Sequence, residues 1–232
     1  MEIVFLNTFN GKIRQPIEEF IASRAGKTDI FCLQEAYSGN GGMGQLAVAL
    51  LPGYQPICVY KALDDKDDFP QATFVHRRLQ EINHEVLFPN NPNVGLGIAT
   101  VVEYGGNQIA VCNFHGRSKP GHKLDTPDRL AQSRDIIEYF ATLAIPLTII
   151  GGDFNTDLDT EAIRMFNQAG YRNLITEYGI RTTRNRLAWE KYPNTPQLHS
   201  DYVFVRPSVQ VISFEVIDNE ISDHLPLILK IE

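Results

Sequence analysis

The stretch Leu147-Thr148-Ile149-Ile150-Gly151-Gly152-Asp153-Phe154-Asn155 runs an apolar strand into two glycines, then offers a carboxylate and an amide two residues apart. Alternation along extended backbone puts Asp153 and Asn155 on one face, and the glycines admit close approach of backbone or ligand. A carboxylate beside an amide can hold and polarise a water molecule, although an ordinary β-turn would use the same residues. Further on, Ser222-Asp223-His224-Leu225-Pro226 precedes the last apolar run. Neighbours on extended backbone point opposite ways, so Asp223 and His224 can flank one bound group without touching each other. Asn7, Glu35, His115 and Asp201 also sit at the ends of apolar runs. Each of these alone is only a polar residue where a strand meets solvent.

Their arrangement says more. Asn7, Glu35, His115 and Asp153 close their runs, whereas Asp201 and His224 open theirs. If the latter strands run antiparallel to the former, all six meet at one edge. Carboxylates gathered there repel one another unless a cation neutralises them. Oxygen-rich ligation points to a hard ion, Mg²⁺ or Mn²⁺. A zinc hydrolase using the histidines is disfavoured, because His-Glu-x-x-His and paired Cys-x-x-Cys spacings are absent.

The elements that must carry these residues are mostly strands. Short apolar runs recur at Ile3–Leu6, Ile30–Leu33, Tyr54–Tyr60, Ala72–His76, Glu85–Phe88, Leu96–Val102, Ile109–Phe114, Leu147–Ile150, Tyr202–Val205, Val209–Val216 and Leu225–Ile231, with turn clusters between them. Three segments read as helices. One covers Gln15 to Ala25; another starts at Thr126-Pro127-Asp128 with a stripe of Leu130, Ile137, Phe140, Ala141 and Ala144; the third runs from Asp159 or Thr160 to Gly170. Many strands with hairpin-length connections predict two mainly antiparallel sheets packed face to face, with helices outside.

Composition bounds the rest. The 232 residues contain no repeat or linker, so a single domain over 1–232 is expected. No apolar run reaches the ~20 residues of a membrane span, and no signal-peptide pattern opens the chain. Cys32, Cys58 and Cys112 read as buried reduced thiols, which suits a cytoplasmic protein. A net charge of −7 disfavours a grip on long nucleic acid, and the acidic run Asp64-Asp65-Lys66-Asp67-Asp68 reads as a solvated loop.

In these motifs the chain resembles the endonuclease/exonuclease/phosphatase superfamily. The matching pieces, in order, are Leu6-Asn7, Leu33-Gln34-Glu35, Asn113-Phe114-His115, Arg129 with Gln132, Gly152-Asp153-Phe154-Asn155, Ser200-Asp201-Tyr202-Val203-Phe204 and Ser222-Asp223-His224. The resemblance implies a four-layer α/β/β/α sandwich and a divalent-metal phosphoesterase; a monomer is expected. It implies that Asn7 and Glu35 belong to the metal site, with Asp223 as a further ligand. Asp153 and Asn155 would orient and deprotonate the attacking water, and His224, braced by Asp201, would stabilise charge on the phosphate. His115 would contact the phosphate or aid the leaving group. Asp153 and His224 are rival assignments for the base.

The chain lacks the Pro-x-Trp-x-Asp-Arg segment of inositol polyphosphate 5-phosphatases and the basic insertions of abasic-site enzymes. Nucleotides, short nucleic acids, phospholipid head groups and sugar phosphates stay open as substrates. So do a DNA- or RNA-specific nuclease and an inactive binding module on the same fold.

Other residues invite weaker readings. Arg129 and Gln132 lie three apart on one helix face, as a brace or substrate contact or as a solvated face. Lys123 is a second phosphate contact or part of an exposed loop. Ser38-Gly39-Asn40-Gly41-Gly42 would form a rim after Glu35, and Trp189 stacks on substrate or packs on the sandwich. His76, His84 and His199 are assigned to structure or surface.

Overall fold

A computed structural model describes residues 1–36, 42–64, 67–190, 193 and 197–232. Two six-stranded mixed sheets pack face to face. The first is ordered β11 (Val211–Val216), β12 (Leu227–Ile231), β1 (Glu2–Asn7), β2 (Ile30–Gln34), β4 (Asp67–His76), β3 (Tyr54–Asp64). The second is ordered β5 (Gln80–Leu87), β6 (Leu96–Tyr104), β7 (Asn107–His115), β8 (Leu147–Asp153), β10 (Asp201–Val205), β9 (Arg172–Asn173). Pairing is antiparallel except for β1 with β2 and β7 with β8. Those two parallel pairs are joined by crossover helices, α1 (Arg14–Arg24) and α3 (Pro127–Leu143), as parallel neighbours require.

Strand residues alternate between two cores. In β1, Ile3 and Phe5 enter the core between the sheets, while Val4 and Leu6 face the layer of α1 and α2 (Met43–Leu50). In β2, Ile30 and Cys32 point inward, and Phe31 and Leu33 meet that same helical layer. Burial on both faces is why these strands read as unbroken apolar runs. On the far side, α3 and α4 (Glu161–Gln168) cover the second sheet through Ile136, Phe140, Ile163 and Phe166. The result is the expected α/β/β/α sandwich.

Several expectations change. Helix α2, apolar but for Gln45, has no counterpart among the expected helices, nor do the one-turn helices α5 (Leu174–Glu177) and α6 (Arg186–Trp189). Cys58 is exposed, unlike buried Cys32 and Cys112. It lies on edge strand β3, where the pleat sends Ile57 inward and Cys58 outward. The acidic run is the tip of the β3–β4 hairpin, with Asp64 paired to Asp67, and its residues 65–66 lie outside the described ones. Most of the expected glycine-rich rim, residues 38–41, also lies outside them.

The largest revision concerns α3. Its start is as read: Thr126 caps it by accepting from the Arg129 N–H at 3.1 Å, with Pro127 following. Its buried face is Arg129, Gln132, Ser133, Ile136 and Phe140, which shares only Phe140 with the expected stripe. Hydrophobic periodicity misses a helix face whose first turns bury polar groups.

Candidate active site

Strand direction brings the sequence candidates together. Register pairs Asn7 with Gln34, the residue before Glu35, in β1 and β2, and His115 with Asp153 in β7 and β8. Strand β10 runs antiparallel to β8 and pairs Asp201 with Asp153. His224 precedes β12, which is antiparallel to β1, and bridges the backbone of Arg184. Two glycines let β8 fit here. A Cβ at Gly151 would lie 2.6 Å from the Phe5 ring, and Gly152, at φ +129°, has the Phe114 carbonyl where a Cβ would go.

Asp153 is the hub, only 1 % exposed. Its Oδ2 accepts from Asn7 Nδ2 at 3.0 Å and lies 3.8 Å from His115 Nε2 and 3.7 Å from His224 Nε2. Its Oδ1 accepts from Ser200 Oγ at 2.6 Å and from the Asn155 N–H at 2.8 Å. Asn155 has φ +53°, so a turn brings it beside Asp153, in place of the expected strand alternation. Burial pushes Asp153 up, but the charges of His224, Lys123 and His115 outweigh it and hold the carboxyl well below its ordinary range.

His224 is held from behind. Its Nδ1 lies 2.9 Å from both oxygens of Asp201, and Asp201 Oδ2 also accepts from Thr183 Oγ1 at 2.9 Å. With Nδ1–H on the carboxylate, Nε2 faces Asp153. Burial and Arg184 depress His224, but Asp201, Asp153 and Asp223 together raise it above an ordinary imidazole. Asp153, Asp201 and His224 also offer ligand atoms within 4.8 Å of one another, a grouping that could hold a metal ion.

The sequence matches the Endonuclease/Exonuclease/phosphatase family over residues 9–224. The chain belongs to this family. No curated protein sequence matches it. Solved structures with the same fold include a mannosyl-6-phosphatase, Bt3783, from Bacteroides thetaiotaomicron VPI-5482 (18% identity, TM-score 0.75, covering 100% of this chain and 99% of that one). The human Nocturnin catalytic domain with bound sulfate is similar at 19% identity and TM-score 0.74, over 100% and 93% of the two chains. D. rerio TDP2 with a single-strand DNA product is similar at 15% identity and TM-score 0.73, over 100% and 98%. Endonuclease/exonuclease/phosphatase proteins are generally divalent-metal-dependent hydrolytic phosphoesterases.

Beside this hub lie the donors that suit a hard ion in a member of the family. Glu35, half-buried and in left-handed backbone at φ +50°, accepts from Asn7 Nδ2 at 3.2 Å. Asn7 Oδ1 accepts from the Phe9 N–H at 3.0 Å and keeps a second lone pair, while its amide nitrogen links Glu35 to Asp153. Asp223 Oδ2 accepts from Arg184 Nη2 at 3.0 Å, whereas buried Oδ1 has no hydrogen-bond partner among the described residues and lies 3.9 Å from His224 Nε2. An orphaned carboxylate oxygen in a site of oxygen donors fits a divalent cation.

The basic candidates divide. Arg129 is fully buried and donates to the carbonyls of Pro120, His122 and Leu124 at 2.8, 2.6 and 2.6 Å. Its two terminal nitrogens thus shape the β7–α3 loop from a fully buried position, while its buried Nε has no partner among the described residues. Gln132 joins the brace by accepting from the Arg117 N–H at 3.1 Å. Lys123 is 8 % exposed, not on an open loop, and its Nζ donates to Asn155 Oδ1. Burial lowers it to about 8.

Ser200, Thr183 and Arg184 are site residues that sequence reasoning missed. Ser200 opens the motif Ser200-Asp201-Tyr202-Val203-Phe204 but was given no role there, whereas Thr183 and Arg184 carry no local pattern. Trp189 ends α6, half-buried. A cavity of about 580 Å³ at the opposite strand ends, beside Ala144, Pro146 and Ser208, carries none of these residues.

Proposed function

We propose that residues 1–232 form one catalytic domain that hydrolyses a phosphate ester by in-line attack of water. The observation that carries this reading is the Asp201–His224 pair facing buried Asp153, with His115 near the same Asp153 oxygen. Asp153, held by Ser200 and the Asn155 N–H, is positioned to orient the attacking water and take its proton. His224, whose hold on a proton the surrounding carboxylates strengthen, donates through Nε2 to the phosphate as negative charge grows on it. His115 supplies a second imidazole donor toward the same group or the departing oxygen. Lys123, beside Asn155, adds a positive charge near the attacking side.

Glu35 and Asp223 would hold Mg²⁺ or Mn²⁺, with Asn7 orienting Glu35; when bound, the ion polarises a phosphate oxygen. The net charge of −7 favours a compact phosphate ester over a long duplex. The mannosyl-6-phosphatase and the DNA-bound TDP2 among similar structures support phosphate esters in general. Turnover of p-nitrophenyl phosphate or bis-p-nitrophenyl phosphate should require Mg²⁺ or Mn²⁺ and stop in excess chelator. Full turnover in chelator, with no metal by elemental analysis, would refute the metal assignment. No turnover of any ester would favour an inactive binding module.

A further inference from the structure

Arg184 is the buried cation of the site that the proposed chemistry leaves unused. It is 9 % exposed, and its backbone forms an antiparallel bridge with His224. The Leu225 N–H donates to the Thr183 carbonyl at 2.8 Å, tightening the same bridge. Paired residues of an antiparallel bridge project on one side, so the two side chains share a face. The guanidinium is then clamped by a single residue: Nε donates to the Asp223 carbonyl at 3.1 Å and Nη2 to Asp223 Oδ2 at 3.0 Å.

Two of its nitrogens are thus fixed on one partner. Its third nitrogen, Nη1, donates to no protein atom among the described residues. One carboxylate separates the guanidinium from His224 Nε2, since the other Asp223 oxygen lies 3.9 Å from that nitrogen. Nη1 is not among the fully buried unsatisfied atoms, so this edge of the guanidinium is open to an incoming acceptor, and a planar fork suits a phosphate oxygen. Asp223 neutralises Arg184 only in part, because its carboxylate also faces His224. Arg184 lies close enough to influence Lys123, Asp201 and His224, which places it beside the groups that surround Asp153.

We propose that Arg184 is a substrate residue whose Nη1 edge meets an oxygen of the scissile phosphate, suiting the site to the dianionic phosphate of a monoester over a monoanionic diester. This rests on the phosphoesterase reading. A terminal phosphate presents three free oxygens and two charges, whereas a diester presents two oxygens and one charge. An additional guanidinium therefore contributes more to the former, by direct contact and by Coulomb attraction at low effective dielectric.

The test compares Arg184→Gln and Arg184→Lys with wild type on p-nitrophenyl phosphate and bis-p-nitrophenyl phosphate in saturating Mn²⁺. Binding of inorganic phosphate by calorimetry forms a separate arm. Arg184→Gln should lose on the order of 10²-fold in kcat/KM on the monoester and about tenfold or less on the diester. It should also bind inorganic phosphate about tenfold more weakly. Arg184→Lys, with charge but no fork, should fall between the two. If the glutamine variant does not fold, a several-fold loss confined to the monoester in Arg184→Lys is the expected result. Equal proportional losses on both esters, or unaltered phosphate affinity, overturn the proposal and leave Arg184 as a brace for Asp223. Wild type inactive on both esters would refute the phosphoesterase reading instead, and the calorimetric arm would still decide whether Arg184 meets phosphate.

Discussion

The two crossover units, β1–α1–β2 and β7–α3–β8, share a topology and deliver residues to the same edge, yet they are held in different ways. Helix α1 buries only Ile17 and Ile21, and the half-site it supports is open, with Glu35 half-buried and its carboxylate bonded, among the described residues, to Asn7. Helix α3 buries Arg129, Gln132 and Ser133 in its first turns, and the first two tie down the loop that delivers Lys123 to Asn155. Its half-site is closed: every oxygen of Asp153 has a donor, and His224 is fixed by Asp201. Groups that must hold one geometry through a reaction are enclosed by buried hydrogen bonds. Groups that await an ion keep oxygens unsatisfied until it binds.

The largest effects are expected in the closed half. Asp153→Asn and His224→Ala should each lower kcat by on the order of 10²–10³ with little change in KM, read by steady-state kinetics. Asp201→Asn should act more mildly through the orientation of His224. The double variant of Asp201 and His224 should be little worse than His224→Ala, and additive losses would give Asp201 a separate role. Wild-type rates in Asp153→Asn would overturn the site altogether.

In the open half, Glu35→Gln should raise the Mg²⁺ or Mn²⁺ concentration for half-maximal rate by about tenfold or more, with folding unaffected. An unchanged metal titration would remove Glu35 from the ion site.

The helices themselves sharpen the contrast. Ile21→Ala should cost about 2–5 kcal/mol of stability by denaturant unfolding and leave kcat intact, because α1 only packs. Arg129→Met should cost about 1–3 kcal/mol by orphaning loop carbonyls and also lower kcat as Lys123 loses its place. Equal kcat in the two variants would erase the distinction between the crossovers.

The smallest effect concerns Lys123, whose folded value is lowered from 10.5 to about 8. Between those values the unfolded chain holds a proton that the folded one has released, so stability rises with pH there. Wild type should therefore gain on the order of 1–3 kcal/mol relative to Lys123→Met as pH climbs through that window. Parallel stability curves for the two proteins would mean that Lys123 is not buried as a charge.

Sequence alone determined the parts of this protein that follow from period and punctuation. Doubly buried strands such as Ile3–Leu6 and Ile30–Leu33 show as apolar runs, and Thr126-Pro127-Asp128 marks a helix start by its own chemistry. The polar residues at strand ends were legible for the same reason, and strand direction then made them one edge. Tertiary structure decided what depends on partners distant in the chain. Arg129 breaks the apolar stripe of its helix, and only the carbonyls of the β7–α3 loop explain its burial. Asn155 reaches Asp153 by a left-handed turn that no alternation rule anticipates. Thr183 and Arg184 belong to no local pattern; they join the site because the segment before β10 bridges the one before β12, 40 residues on from Arg184 to His224. Periodicity records which face of an element is apolar, whereas a buried polar group is specified by the atoms that satisfy it, and those are set only when the chain has folded.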